Sequence, residues 1–449
     1  MAAAGAFPSA ADHGPAVNPA PSERPEPVDR WMPGTGSGLS DGWGPVVELV
    51  LRWAGPGLEA LVLSGSHASG EAVWVEHEGR RVSLSDLDLF AVMRDEAAVT
   101  RAARARAATP ASELAEVARA VGLVAPLEVA FLSRAGLARM PARPGTVELA
   151  RAGRVLRGDA EILTRLRRWR PADISAEERL LLLENRAFEL LSAWHVAGQG
   201  LQDLRARHAI LKTALDLAAS RTLAEGELPA RAVERVARAR ALGAPADLPS
   251  WLAGAWDGLL PLWEQALAWR SGAGPLPESS PTGQAWRSVA RGWCAAWWSQ
   301  ATGERASVTD PWSRALASAS RGSLARRWRR AFSLEPGRSA EAGATTTSDT
   351  AAAADRGRRG QRDSLFARLR HAHAGTPLLR VHGTGVVLVL AAAQSAAEPV
   401  LPAGALRALR RLGVTDESRF GHASLEALAA WGRVIDSPVV ESSAHQVTA

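Results

Sequence analysis

Leu61-Val-Leu-Ser-Gly-Ser-His-Ala-Ser-Gly-Glu71 runs from an apolar segment straight into glycine and serine, and Ser85-Asp-Leu-Asp-Leu-Phe-Ala-Val92 follows shortly after. Leu58 to Ser64, closed by Gly65, has the pattern of a short buried strand. Leu84 to Met93 reads as a second strand. Side chains alternate between the two faces of a strand. Asp86 and Asp88 therefore share one face, while Leu87 and Leu89 point to the other, into a core. Two adjacent carboxylates repel, and one is pushed toward protonation unless a cation relieves the pair. Oxygen ligands of this kind suit Mg2+ or Mn2+. A strand that ends in Gly65-Ser66 and leads into a short helix offers backbone N–H groups and a hydroxyl, the makings of a phosphate cradle. Acids and cradle together point to a nucleoside triphosphate chelated by a divalent cation.

A third carboxylate is expected on a neighbouring strand, and Glu128 in Pro126-Leu-Glu-Val-Ala-Phe131 is the best candidate. Its face carries the small residues Pro126 and Ala130, whereas Leu127, Val129 and Phe131 face the other way. An acid in such a strand needs a partner or a metal.

Strand and helix signals alternate around these motifs. Val46 to Trp53 reads as a first helix. Ala72 to Glu76 and Arg81 to Leu84 flank a polar turn at Gly79, as in a hairpin. Asp95 to Val121 is helical, broken at Pro110, and Leu123 to Ser133 is strand-like. Asp159 is placed to cap a helix from Ala160 to near Pro171. Residues 43–173 are thus expected to form an α+β domain with a short mixed sheet. Residues 174–333 read as an all-α helical domain, with helices over Glu178–Gly198, Leu201–Leu223 and Ala230–Leu242. Ten of the 17 tryptophans lie between Trp251 and Trp328. Trp293, Trp297 and Trp298 are at helical spacing, where core packing is favoured over stacking on a base. Residues 1–42 and 438–449 read as tails, 334–363 as a low-complexity linker, and 364–437 as a mostly helical segment. Within it, Val386 to Ala393 fits a helix or a strand.

Composition narrows the classes. With 449 residues, 47% of them apolar, the chain can bury real cores and is not disordered as a whole. Its one cysteine, Cys294, excludes an intrachain disulfide and a Cys-built zinc site. The longest apolar run, Val386–Ala393, is far short of the roughly 20 residues that cross a bilayer. No basic start followed by an apolar core marks a signal peptide, so a soluble cytoplasmic protein without a membrane partner is expected. Net charge is +6, and all but one of the 53 basic residues are arginine, the exception being Lys212. Residues 321–370 alone carry 12 arginines against 5 acids. Five of those arginines sit in the linker, which reads as a solvated tether. Residues 43–173 are not notably basic, so nucleic acid is not an expected partner. His67, after the Gly-Ser pair, reads as a tolerated loop residue, and Arg80 and Arg81 as a solvated turn.

Gly65-Ser66, Asp86-Leu87-Asp88 and Glu128 together resemble the signature of the DNA polymerase β-like nucleotidyltransferase superfamily: Gly-Ser, then Asp-x-Asp on a strand, then an acid on the next strand. Glutamate at the third position is similar to the antibiotic adenylyltransferases. The spacing from Ser66 to Asp86 is longer than in minimal members, through the hairpin at Gly79. Gly153-Arg-Val-Leu-Arg-Gly-Asp-Ala-Glu161 resembles the stretch that closes the catalytic domain of small-molecule members. Arg205-Ala-Arg-His-Ala-Ile-Leu-Lys-Thr-Ala-Leu-Asp-Leu217 looks like the helix that, in those two-domain enzymes, brings a lysine to the triphosphate. The resemblance spans about residues 45–245.

It implies a nucleotidyltransferase domain followed by a helical domain, with the site in the cleft between them. Asp86 and Asp88 would hold Mg2+ (or Mn2+) on a nucleoside triphosphate, ATP in the first instance. Glu128 would join a second metal or take the proton of the acceptor hydroxyl. Gly65, Ser66 and Lys212 would bind the triphosphate. The implied reaction passes AMP to a hydroxyl of a small molecule and releases pyrophosphate. Protein nucleotidylation and a non-catalytic nucleotide-binding scaffold are the alternatives.

Overall fold

The computed structural model describes residues 40–124, 127–196, 201–272, 283–300, 310–319, 377–395, 401–412, 414, 420, 423–424 and 427–428. The N-terminal tail up to residue 39, the basic run at 321–370, the linker within it and the C-terminal tail lie outside these residues. The first half contains α1 (Ser40–Ala54), β1 (Leu58–Leu63), α2 (Gly65–Ser69), β2 (Trp74–His77), β3 (Arg80–Ser83) and β4 (Leu87–Met93). It continues with α3 (Glu96–Ala107), α4 (Ala111–Ala120), β5 (Leu127–Ser133), α5 (Arg134–Ala138), α6 (Pro144–Ala152) and β6 (Arg154–Gly158). A four-stranded sheet runs in the order β5-β4-β1-β6. It is mixed: β1 is antiparallel to β4 and β6, and β4 is parallel to β5. The β2–β3 hairpin stands apart as its own two-stranded sheet.

Both sheet faces are covered, as the strands' apolar character requires. Leu61, Leu63, Leu87, Leu89 and Met93 join Val46, Leu49 and Trp53 of α1 and Ala98 of α3 in one core. Val62, Val92 and Leu132 point the other way, against Leu137 of α5, Leu149 of α6, Ile162 and Leu166.

Beyond β6 the expected helix from Ala160 does not form. The Asp159 carboxylate accepts from the Glu161 N–H at 2.9 Å, but only short 3-10 turns at Ile162–Arg165 and Pro171–Asp173 follow. Tertiary contacts override the local signal. Ile162 and Leu166 are both drawn into the second core, and the Trp169 indole donates to the Met140 carbonyl at 2.9 Å, which holds the chain extended up to Pro171. Strand β6, absent from the sequence reading, exists because it covers the free edge of β1.

The second half is helical: α7 (Ala176–Val196), α8 (Leu201–Ala224), α9 (Ala232–Leu242), α10 (Leu260–Arg270), α11 (Gln284–Gln300), α12 (Pro311–Ala319), α13 (Pro377–Gln394) and α14 (Ala403–Leu412). α8 is the hub, packed by α7, α9, α10 and α11. Val386–Ala393 is therefore a helix: its apolar run is buried all round because α13 packs against α7, α11, α12 and α14. Most of the described tryptophans of this half are core residues, and Trp328 lies outside the described residues. Trp263, Trp286 and Trp293 are fully buried and donate their indole N–H groups to the Ala214, Leu190 and Leu183 carbonyls of α8 and α7, at 2.7, 2.9 and 2.6 Å. Trp293 and Trp297 stack at 6.1 Å, and the Arg314 guanidinium covers Trp298 at 3.8 Å, so these three rings are taken up by the packing.

The halves share apolar contacts. Val73 and Leu84, beside the hairpin, enter the helical core, and Val147 of α6 packs with Ala219 and Leu223 of α8. No helix among the described residues is long and apolar enough to cross a membrane.

Trp293→Ala removes a buried, stacked, hydrogen-bonded indole and is expected to cost about 3–5 kcal/mol of stability in urea denaturation. A loss below about 1 kcal/mol would contradict this core.

Candidate functional site

The acids sit where β4 leaves the sheet core. Directly paired residues of adjacent strands project to the same face. Val92 pairs with Leu132, Phe90 with Ala130, and Asp88 with Glu128. One face thus turns from apolar to acidic along two neighbouring strands, about 4.8 Å apart. Asp86, one residue before β4, continues the alternation beyond Asp88. The parallel register brings Glu128 beside Asp88, as the sequence led us to expect for a third acid.

The Gly65 turn abuts these acids. The Ser64 N–H donates to the Asp88 carbonyl at 2.9 Å, which ties the end of β1 to β4. Gly65 has φ +65°, and a Cβ there would lie 2.2 Å from Asp88 Oδ2. Only glycine lets the backbone pass this close to the carboxylate. Ser66 follows half-buried in α2, which packs on β4 and α6.

Helix α8 closes the opposite side. Lys212 Nζ is 2.6 Å from Asp86 Oδ2 and 3.4 Å from Glu189 Oε1 of α7. The local i,i+4 partner, Asp216, pairs with Arg186 instead, and Arg186 also bonds Glu189. Deeper in the same interface Glu71 takes the Ala232 N–H at 2.7 Å and Arg270 at 2.9 Å, while Glu148 of α6 pairs with Arg235 at 2.7 Å. The two halves therefore meet in a charged seam beside the acids.

The three carboxylates differ sharply in their electrostatics. Burial would raise Asp86, but the Lys212 ammonium against it holds it below the usual carboxylate range. Asp88 has no ion-pair partner among the described residues; burial, then the charges of Glu128 and Asp86, push it up to about 7. Glu128 opens to solvent at the sheet edge, yet the surrounding protein still desolvates its carboxyl, and with the Asp86 charge this raises it. His208, one turn before Lys212, is driven down to about 3 by burial, with Lys212 adding to the effect, and packs edge-on to Trp269 at 5.8 Å.

Gly65, Asp86, Asp88, Glu128 and Lys212 thus lie beside one another, with Ser66 next along the turn. Among the described residues no group of three or more His, Cys, Asp or Glu side chains is already gathered for a metal ion. The counter-charge on Asp86 is the Lys212 ammonium. Arg80 and Arg81 are exposed, and Arg81 lies over Trp74 at 5.3 Å. Sequence reasoning missed Arg186 and Glu189, which flank Lys212. Their only local signal is an i,i+3 charge pair within α7, an arrangement shared by many solvated helices. His67 is not a loop residue but buried within α2.

Compared with known proteins, the chain matches no family model, no curated protein and no solved structure.

The Asp88 carboxyl sets a pH dependence. Its folded value of about 7 lies above its ordinary 3.8, so between these the unfolded chain has released a proton that the folded chain retains. Stability then falls as pH rises through this window, and the penalty is complete above about 7. Asp88→Asn removes it. In chelator, urea denaturation should show the variant gaining on the wild type between about pH 4.5 and about pH 8, by on the order of 1–3 kcal/mol after solvent screening. A difference that does not change with pH would show that Asp88 is not desolvated.

Proposed function

We propose that this chain is a metal-dependent nucleotidyltransferase whose first half is a polymerase β-like catalytic domain. It would move a nucleoside monophosphate, AMP in the first instance, from a triphosphate to a hydroxyl of a small molecule, releasing pyrophosphate. The observation that carries the reading is the pairing of Asp88 with Glu128 on adjacent parallel strands, beside Asp86 and against the Gly65 turn.

The donor chemistry suits a divalent cation, which would have to draw together carboxylates that are not gathered around one point among the described residues. Their donors are all carboxylate oxygens, the choice of Mg2+ or Mn2+. Asp88, raised to about 7, has no ion-pair partner among the described residues, and the Lys212 ammonium already occupies Asp86 as a cation would. Asp86 and Asp88 would hold the ion, with Glu128 at its side. When bound, it would supply charge neutralisation on the triphosphate and on the departing pyrophosphate.

The chain's own groups do the remainder. The Gly65 N–H and the Ser66 hydroxyl donate to phosphate oxygens at the turn. Lys212 exchanges Asp86 for the β- or γ-phosphate, as a point charge on a flexible stem can. Glu128, at the open edge of the sheet, takes the proton of the acceptor hydroxyl on a carboxylate oxygen. Its raised affinity for protons makes it a stronger base than an ordinary glutamate.

The full chain incubated with ATP, Mg2+ and a metabolite extract should release pyrophosphate, and Asp86→Asn should reduce that release by at least about 100-fold. Mg2+ with ATP at about 100 times its dissociation constant should stabilise the fold by about 2.7 kcal/mol. Tight binding with no turnover in any extract would favour the scaffold alternative, and no thermal shift at saturation would remove the site altogether.

A further inference from the structure

The loop that delivers Asp86 is unusual for a connection. Ser83, Leu84 and Ser85 are all buried, though two of them are polar. Buried polar groups require partners, and here the partners are long-range. The Ser83 N–H donates to the Gly122 carbonyl at 2.7 Å, and the Leu84 N–H to Val73 at 2.9 Å. The Ser85 hydroxyl accepts from the Val73 N–H at 2.9 Å. The Ser83 carbonyl accepts from the Val124 N–H at 3.2 Å, and the Ser85 carbonyl belongs to the same peptide plane as the Asp86 nitrogen.

Two donors meet that carbonyl. The Ser83 hydroxyl donates to it at 3.2 Å, and His67 Nε2 lies 3.3 Å from it and 3.2 Å from Ser83 Oγ. A carbonyl only accepts, so its contact with His67 assigns the proton to Nε2, and the Ser83 oxygen can then accept from the same N–H. The imidazole is neutral, since burial drives it down to about 4. Its orientation is set by Trp43 and Trp74, whose rings meet it edge-on at 5.1 and 5.7 Å.

We propose that His67 is a positioning residue that locks the Gly65-Ser66 turn to the peptide carrying Asp86, and so fixes the phosphate-binding turn against the acids. Its place in the chain makes this possible. Gly65 packs on Asp88, and His67, two residues on, reaches back to Ser85 from the same short helix. Together with the Ser64 to Asp88 bond at 2.9 Å, it ties the turn to the acidic strand at two points, one on each side of Leu87. A leucine of similar bulk would fill the space between the tryptophans but leave the Ser85 carbonyl with Ser83 alone. A glutamine could return an N–H donor to the position of Nε2.

The catalytic sense of this role rests on the nucleotidyltransferase reading, so the test has two independent readouts on the full chain. The first is the affinity for Mn2+ with a non-hydrolysable α,β-methylene ATP, by calorimetry well below the melting temperature. The second is amide exchange in the segment 84–88 of the free protein. His67→Leu should weaken binding by about 10- to 100-fold and speed that exchange by at least about tenfold, and His67→Gln should restore most of both. If His67→Leu does not fold, Ser83→Ala and His67→Gln carry the comparison, the first loosening the segment and the second holding it. His67→Leu binding and exchanging like the wild type would overturn the proposal. If the wild type does not bind the metal–nucleotide pair, the nucleotidyltransferase reading falls, and the exchange alone then decides the locking role.

Discussion

Three carboxylates crowded at the ends of two adjacent strands are the constraint around which this molecule is arranged. At roughly 5 Å, two unit charges in an effective dielectric of 20 repel by about 3 kcal/mol. A whole domain is stable by only about 5–15 kcal/mol. The acids therefore need either a proton or a cation, and the structure uses both. Asp86 is paired with Lys212, and Asp88 is raised to about 7. The cation comes from the other half of the chain, more than a hundred residues away in sequence. This makes the helical half part of the site's electrostatics. The charged seam of Glu71, Glu148, Arg235 and Arg270 extends the same solution along the interface.

Charge alone would not keep the acids together, so the scaffold has to be stiff. Two apolar layers clamp β4 and β5 from either side. The Gly65 backbone is wedged against Asp88, and the buried serine loop before Asp86 is satisfied from several directions. Two features are unfavourable in isolation: buried hydroxyls, and a carboxylate with no ion-pair partner among the described residues. They persist because neighbouring elements over-determine them, as is common where geometry serves chemistry.

What could be read from the sequence was the local part of this arrangement. Alternation placed Asp86 and Asp88 on one face, opposite Leu87 and Leu89, and the strand found at Leu87–Met93 has that alternation. Glycine after an apolar run correctly marked a tight turn. The hairpin around Gly79 and the break at Pro110 were equally local and equally visible. Non-local facts were not. Glu128 was named as a third acid on a neighbouring strand, but the register that sets it beside Asp88 depends on parallel pairing across two intervening helices, which nothing at Glu128 itself encodes. Strand β6 was hidden because it exists only to cover an edge, and the helix expected after Asp159 lost to the pull of Ile162 and Leu166 into the core. His67 was misjudged for the same reason. Its partners, Trp43, Trp74, Ser83 and Ser85, come from three other places in the chain.

Lys212 shows how composition and geometry can inform each other. Every other basic residue in the chain is arginine. A guanidinium presents a planar fork that binds carboxylates in pairs of parallel hydrogen bonds and is held there. An ammonium is a compact charge on a flexible stem, and it can lie between carboxylates of different elements without committing to either. That is how Lys212 sits, 2.6 Å from Asp86 and 3.4 Å from Glu189. Arg186, beside it, provides the fixed pairing with Glu189 and Asp216 that keeps α7 and α8 aligned. In the proposed reaction the cation on Asp86 must leave when metal and triphosphate arrive, while the helices that carry it must not move. Lysine at the mobile position and arginine at the structural one divide those tasks according to what each head group can do.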